Sequence, residues 1–198
     1  VSDGAERFLH SADADATCLD ISAAVGGFYS HPLTEDLTGT VSIDAALEPP
    51  ATEQMYITVQ RPSGKPWWSG NPELSRARRV SLRPGLNFDD HRLELFATRV
   101  WDYTELTGRE TLARTYRTYE STGALIYGAT LHADWECLDV RAAYTWGENL
   151  SDDSPLVEIP PLSLTTTLRS PRFRGLRASI THTCNDAQTR VDTDLNER

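Results

Sequence analysis

The sequence predicts an all-β chain, with about nine strands in antiparallel, up-and-down order. Three observations predict it. Apolar and polar residues alternate with a period of two along most of the chain. Several alternating runs exceed the roughly 5–6 residues common in soluble sheets. The connections between them are short and long in turn.

The alternation is clearest in four runs. Val140, Ala142, Tyr144 and Trp146 oppose Arg141, Ala143, Thr145 and Gly147. Leu125, Tyr127, Ala129, Leu131, Ala133 and Trp135 alternate with Ile126, Gly128, Thr130, His132 and Asp134. Leu162, Leu164, Thr166 and Leu168 alternate with polar partners, as do Leu176, Ala178 and Ile180. A period of two marks a strand with one apolar and one polar face. The predicted strands are 20–30, 37–47, 74–87, 91–104, 114–120, 124–136, 138–147, 158–169 and 175–184. Pro84 falls inside one of them and predicts a bulge or a shifted boundary, because proline gives no hydrogen to a ladder.

Short connections fall at 31–36, 87–90, 136–137 and 170–174; long ones fall at 48–73, 105–113, 148–157 and after Asn185. One rim of tight turns and one of long loops is the pattern of a membrane β-barrel. A soluble sandwich also tolerates unequal loops. Strand lengths of about 9–11 residues suit a tilted bilayer crossing. Trp101, Tyr103, Tyr127, Trp135, Tyr144 and Trp146 lie near predicted strand ends, where barrels carry aromatic girdles. Ordinary cross-strand packing of aromatics places them there too.

Composition narrows the function classes. The 198 residues carry a net charge of −10, with 39% apolar and 24% charged residues, which suits a folded chain. Residues 1–60 hold ten acidic groups against Arg7 alone, and the remainder is nearly balanced; Lys65 is the only lysine. This acidity excludes a general nucleic-acid binder, which needs a basic surface. No apolar run approaches the roughly 18 residues of a spanning helix. Val1 is not followed by the basic and apolar regions of a secretion signal, as in a mature chain or a fragment. Cys18, Cys137 and Cys184 allow one disulfide with a spare thiol, or three thiols, and form no C-x-x-C pair.

The stretch Trp67-Trp68-Ser69-Gly70-Asn71-Pro72-Glu73-Leu74 resembles the Gly-Asn-Pro-Asp/Glu-Leu motif of TonB-dependent outer-membrane receptors. In that family it closes a long extracellular loop and opens a barrel strand. Pro50-Ala51-Thr52-Glu53-Gln54-Met55-Tyr56 is similar to the proline- and glutamate-containing loop opening of that family. Ala124-Leu125-Ile126-Tyr127-Gly128-Ala129 resembles an aromatic/Gly strand start, and Leu156 to Leu162 a late strand approach. Arg190-Val191-Asp192 with Asn196-Glu197 resembles a polar loop before the final strands. The resemblance covers residues 20–198. It implies an antiparallel transmembrane β-barrel portion with long extracellular loops, in the bacterial outer membrane. It implies a small nutrient ligand such as a metal chelate, and the energy-coupling partner TonB, reached through a plug. Nothing in residues 1–198 resembles the plug or the terminal strand, so the chain is expected to be one partial barrel region.

No enzyme motif is present: there is no His-Glu-x-x-His, Gly-x-Ser-x-Gly, Walker loop or dinucleotide fingerprint. An enzyme is not expected, nor a cofactor. His10, Asp13, Asp15 and Cys18 read as a solvated acidic loop, and His182 and Cys184 as strand neighbours with soft-metal potential. Asp89/Asp90 and Asp152/Asp153 read as turn residues. The candidate ligand surface is the Pro-, Gly- and aromatic-rich loop 48–73. There Tyr56, Trp67 and Trp68 would stack on a ligand, and Arg61 and Lys65 would meet an anionic chelate. The alternative is a soluble β-rich module stacking carbohydrate on Trp67, Trp68 and Tyr56. The two differ in the apolar strand face: a barrel exposes it as a belt, whereas a sandwich buries it under a second sheet.

Overall fold

A computed structural model describes residues 21–60, 67–110, 115–156 and 159–187. It contains one sheet of ten strands. Eight form an antiparallel meander: β1 (Ala23–Pro32), β2 (Leu37–Glu48), β5 (Ala77–Phe88), β6 (His91–Glu110), β7 (Thr115–Asp134), β8 (Leu138–Asn149), β9 (Ser163–Arg169) and β10 (Ser179–Asn185). Two short strands, β3 (Thr58–Val59) and β4 (Trp67–Ser69), and one helical turn, α1 (Thr52–Tyr56), lie in the loop between β2 and β5. The sheet does not close. Its edge strands β1 and β10 are exposed along their whole length.

Three sequence expectations need correction. The two strands predicted at 114–120 and 124–136 are one, β7, which pairs with β6 out to Glu110↔Thr115. The expected loop 105–113 is therefore mostly ladder, and the long-loop rim carries a tall hairpin. Glu120-Ser121-Thr122-Gly123 has the composition of a turn, but cross-strand pairing overrides composition. Pro84 causes no bulge: Leu82↔Ala97 and Gly85↔Glu94 keep one register, and the ladder omits only the positions between them. The bulge lies elsewhere, where Trp101 and Asp102 of β6 both face Gly123. Asp102 takes a left-handed φ of 57° there. Finally, β9 begins at Ser163 and not near 158, consistent with Pro160 and Pro161 having no amide hydrogen.

Register sorts the side chains onto two faces. Gly39, Leu86, Leu93, Leu131, Ala142 and Leu164 form one cross-strand row, and Ile43, Leu82, Ala97, Tyr127 and Trp146 another. This apolar face is open: Val25, Ile43, Leu82, Leu95, Leu164 and Ile180 are all exposed. From Val80 to Phe88 β5 climbs about 27 Å along its axis, or about 20 Å along the normal at a barrel's ~40° tilt. That is close to the height of a lipid-facing band. At the short-turn end the belt finishes in a ring cluster, with Phe88 stacked on His91 at 6.3 Å and His91 tilted against Trp135 at 4.8 Å. At the other end it finishes at Trp101, with the Tyr127–Trp146–Tyr144 cluster inside the belt.

The opposite face is polar: Thr38, Ser42 and Asp44 on β2 pair with Asn87, Arg83 and Ser81 on β5. Threonine pairs continue it, Thr167 with Thr181 at 3.0 Å and Thr165 with Thr183 at 3.3 Å. Among the described residues the buried apolar side chains are few: Leu74, Val100, Ala124, Ala133 and Leu156. The cluster of Val100, Ala124 and Leu156, with Tyr103, Ile126 and Ile159 against it, sits on the polar face near the long-loop rim. Residues 150–156 and 159–162 fold back there. Gly147 makes this possible, since a Cβ would lie 2.7 Å from Ile159 Cδ1.

Candidate functional site: a docked loop and a polar face

Residues 49–60 and 67–76 of the loop between β2 and β5 are held by their backbone. In α1 the amides of Gln54 and Met55 donate to the Ala51 carbonyl at 3.0 and 3.3 Å, and Gln54 Oε1 accepts the Ala51 amide at 2.9 Å. β3 pairs antiparallel with β4, and β4 runs parallel to β7 with Trp67 beside Tyr116. The loop is thereby stitched to the tall β6–β7 hairpin.

The residues from Gly70 to Leu74 make the clasp. The Gly70 amide donates to Ile57 O at 2.7 Å, and the Asn71 amide to Gln54 O at 2.9 Å. A Cβ on Gly70 would stand 2.6 Å from the Met55 carbonyl oxygen, so only glycine allows this approach. Asn71 Nδ2 donates to the Tyr119 carbonyl at 2.8 Å, while its Oδ1 accepts the Glu73 amide at 3.1 Å. Leu74 is buried, and the Ser75 amide reaches Ser121 Oγ at 3.2 Å. Together these contacts end the loop and hand the chain to β5.

The candidate ligand residues divide. Tyr56 is exposed at the end of α1. Trp67 and Trp68 are half-buried neighbours in β4, so their rings leave opposite faces of the strand. Two rings so disposed do not share one stacking platform. The Trp68 indole nitrogen is buried without an acceptor. Arg61 and Lys65 lie outside the described residues, as do His10, Asp13, Asp15, Cys18 and the segment 190–197. Cys137 and Cys184 are free and exposed. His182 and Cys184 lie on the exposed edge strand β10. The turn assignments hold: Asp89 and Asp153 have φ of 48° and 60°, and the Ser154 amide donates to Asp152 Oδ1 at 3.1 Å.

Sequence reasoning does not single out a second constellation, which the fold assembles. Around the β7–β8 turn, Asp139 is 2.9 Å from His132 Nε2 and 3.2 Å from Arg141. Arg169 of β9 reaches Asp134 at 2.7 Å and Asp139 at 3.4 Å. His132, Asp134 and Asp139 have ligand atoms within 4.8 Å of one another. Both carboxylates already hold guanidinium groups, which would repel a cation, so the cluster reads as an ion-pair network on the polar face. The short turn 135–137 is its sequence signal, for it puts His132 opposite Arg141 and Asp134 opposite Asp139.

No family model matches the sequence, and no curated protein does. Solved structures do. The copper transporter OprC superposes with a TM-score of 0.68 at 21% identity, over 84% of this chain and 27% of that one. The siderophore receptor PirA from Acinetobacter baumannii gives a TM-score of 0.53 at 16% identity, over 81% of this chain and 28% of that one. The chain therefore spans a little over a quarter of the length of either neighbour. Both neighbours are TonB-dependent receptors, and the fold of this chain is that of a stretch of their barrel wall.

Proposed function

We propose that this chain is a barrel segment of an outer-membrane receptor that takes up a scarce nutrient such as a metal chelate. The observation that carries the reading is the exposed apolar face, continuous across the meander and backed by a polar face. An antiparallel sheet in water covers such a face; a sheet in a bilayer turns it to lipid. The polar face then lines the lumen, and the ion pairs of Arg169, Asp134 and Asp139 belong to its wall. The tall β6–β7 hairpin and the docked residues 49–60 and 67–76 stand on the long-loop side, which is the extracellular side in this orientation. There Tyr56, Trp67 and Trp68, with Arg61 and Lys65, are the ligand contacts we assign. Transport requires a plug and TonB coupling, which the described residues do not supply. We assign no chemical step to the chain: its role is recognition and passage.

A carbohydrate-binding soluble module is the second reading. The aromatic loop favours it, but the uncovered apolar face weighs against it. Membrane fractionation of the complete protein separates the two. Recovery in the outer-membrane fraction, with gel mobility that shifts on boiling, is the expected result. A monomeric, cooperatively folded chain soluble without detergent refutes the barrel reading. Tyr56→Ala with Trp67→Ala is then expected to weaken uptake of the nutrient more than tenfold while leaving the boiling shift intact.

A further inference from the structure

We propose that Arg99, Arg78 and Trp101 form a binding site for the phosphate of an anionic lipid headgroup, at the long-loop edge of the apolar belt. This rests on the barrel reading above. Register places all three on the apolar face: Val80 pairs with Arg99, and in the next row Arg78 pairs with Trp101. Val80 and Leu82 lie directly below them in the same strand and are exposed. An amphiphile with acyl chains along the belt would therefore bring its headgroup to these side chains.

The site is shaped by the bulge. Trp101 and Asp102 together face Gly123. The left-handed turn at Asp102 lets its carboxylate accept from Arg78 Nη2 at 2.7 Å, which holds Arg78 in place. Gly123 leaves room for Arg99, whose Nη2 would be 3.3 Å from a Cβ at that position. The Arg99 guanidinium lies over the Trp101 ring, 5.5 Å from its centroid. No described carboxylate pairs with it. The nearest acidic residue along its row is Glu148, which is two strands away and accepts the Trp146 indole at 2.7 Å. Arg78, Asp102 and Arg99 thus leave one uncompensated positive charge. A guanidinium fork suits phosphate oxygens, and tryptophan suits the headgroup zone. An unpaired arginine on a lipid-facing strand is tolerated near the interface and not at the midplane.

The test uses the complete protein, extracted in mild detergent and stripped of lipid. Native mass spectrometry compares phosphatidylglycerol, phosphatidylcholine with the same chains, and inorganic phosphate. Phosphatidylglycerol is expected to bind about fivefold more tightly than phosphatidylcholine, the worth of about one basic residue at an anionic surface. Arg99→Gln should remove that preference, Arg99→Lys should keep most of it, and millimolar inorganic phosphate should not displace the lipid. Equal retention of the two lipids overturns the proposal, as does an Arg99→Gln protein that keeps the preference. Displacement by inorganic phosphate would make this a free-anion site and refute the lipid assignment. If Arg99→Gln fails to insert, the comparison of lipids on the unmodified protein still decides. A protein soluble without detergent sinks the barrel reading itself, whereas a membrane protein without lipid preference sinks only this site.

Discussion

Replacing Gly70 by alanine tests whether the clasp, and not the loop's own composition, holds residues 49–60 and 67–76 in place. The new methyl carbon would meet three backbone atoms of the α1 end: Met55 O at 2.6 Å, Met55 C at 2.7 Å and Tyr56 N at 2.8 Å. None is the tip of a flexible side chain, so the strands must separate. Separation breaks the bonds from the Gly70 amide to Ile57 and from the Asn71 amide to Gln54, at 2.7 and 2.9 Å. Each is worth about 1 kcal/mol net, and the overpacking adds about 1–2 kcal/mol. The sum is about 3–4 kcal/mol, or roughly a 150- to 1,000-fold gain in the open loop population. Hydrogen exchange at the amides of Gly70 and Asn71 reads this directly in detergent-solubilised protein. Gly27→Ala is the internal control, since nothing lies within 4 Å of a Cβ there; it should leave exchange and stability unchanged or slightly better. If Gly70→Ala exchanges no faster than the unmodified protein, the close approach is not what seats the loop.

Leu95→Arg puts a charge in the middle of the apolar belt, at a residue now 51% exposed. In a bilayer it should cost about 2–4 kcal/mol of folding stability, measured by denaturant titration in vesicles; in a soluble sheet the same change would be harmless. Leu156, 1% exposed, anchors the fold-back of residues 150–156, so Leu156→Ala should cost about 2–5 kcal/mol and speed proteolysis within 150–156. Cys137 is exposed in the short turn between β7 and β8. With Cys18 and Cys184 changed to serine, a membrane-impermeant maleimide should label it only after the outer membrane is permeabilised; labelling in intact cells would invert the assigned orientation.

Period-two alternation was sufficient to predict most strands of the meander, the up-and-down order and most of the short turns, because all of these are local; it split β7 in two and missed β3 and β4. Which residues pair across a turn such as 135–137 follows from its length, and the two-faced character of each strand follows from its own alternation. The motif from Gly70 to Leu74 was also legible, though its work was not: its contacts run to Gln54, Ile57 and Tyr119, and their positions depend on the folded loop. Continuity of β7 through Glu120–Gly123 depends on β6 as a partner. The bulge at Trp101 and Asp102, and its absence at Pro84, are decisions of ladder register between strands. Sequence determined which residues are apolar and which face of a strand each takes. Tertiary structure decided what lies on the far side of that face. Alternation is a property of one strand, but exposure is a property of everything packed around it, and in this chain nothing described packs against the apolar side.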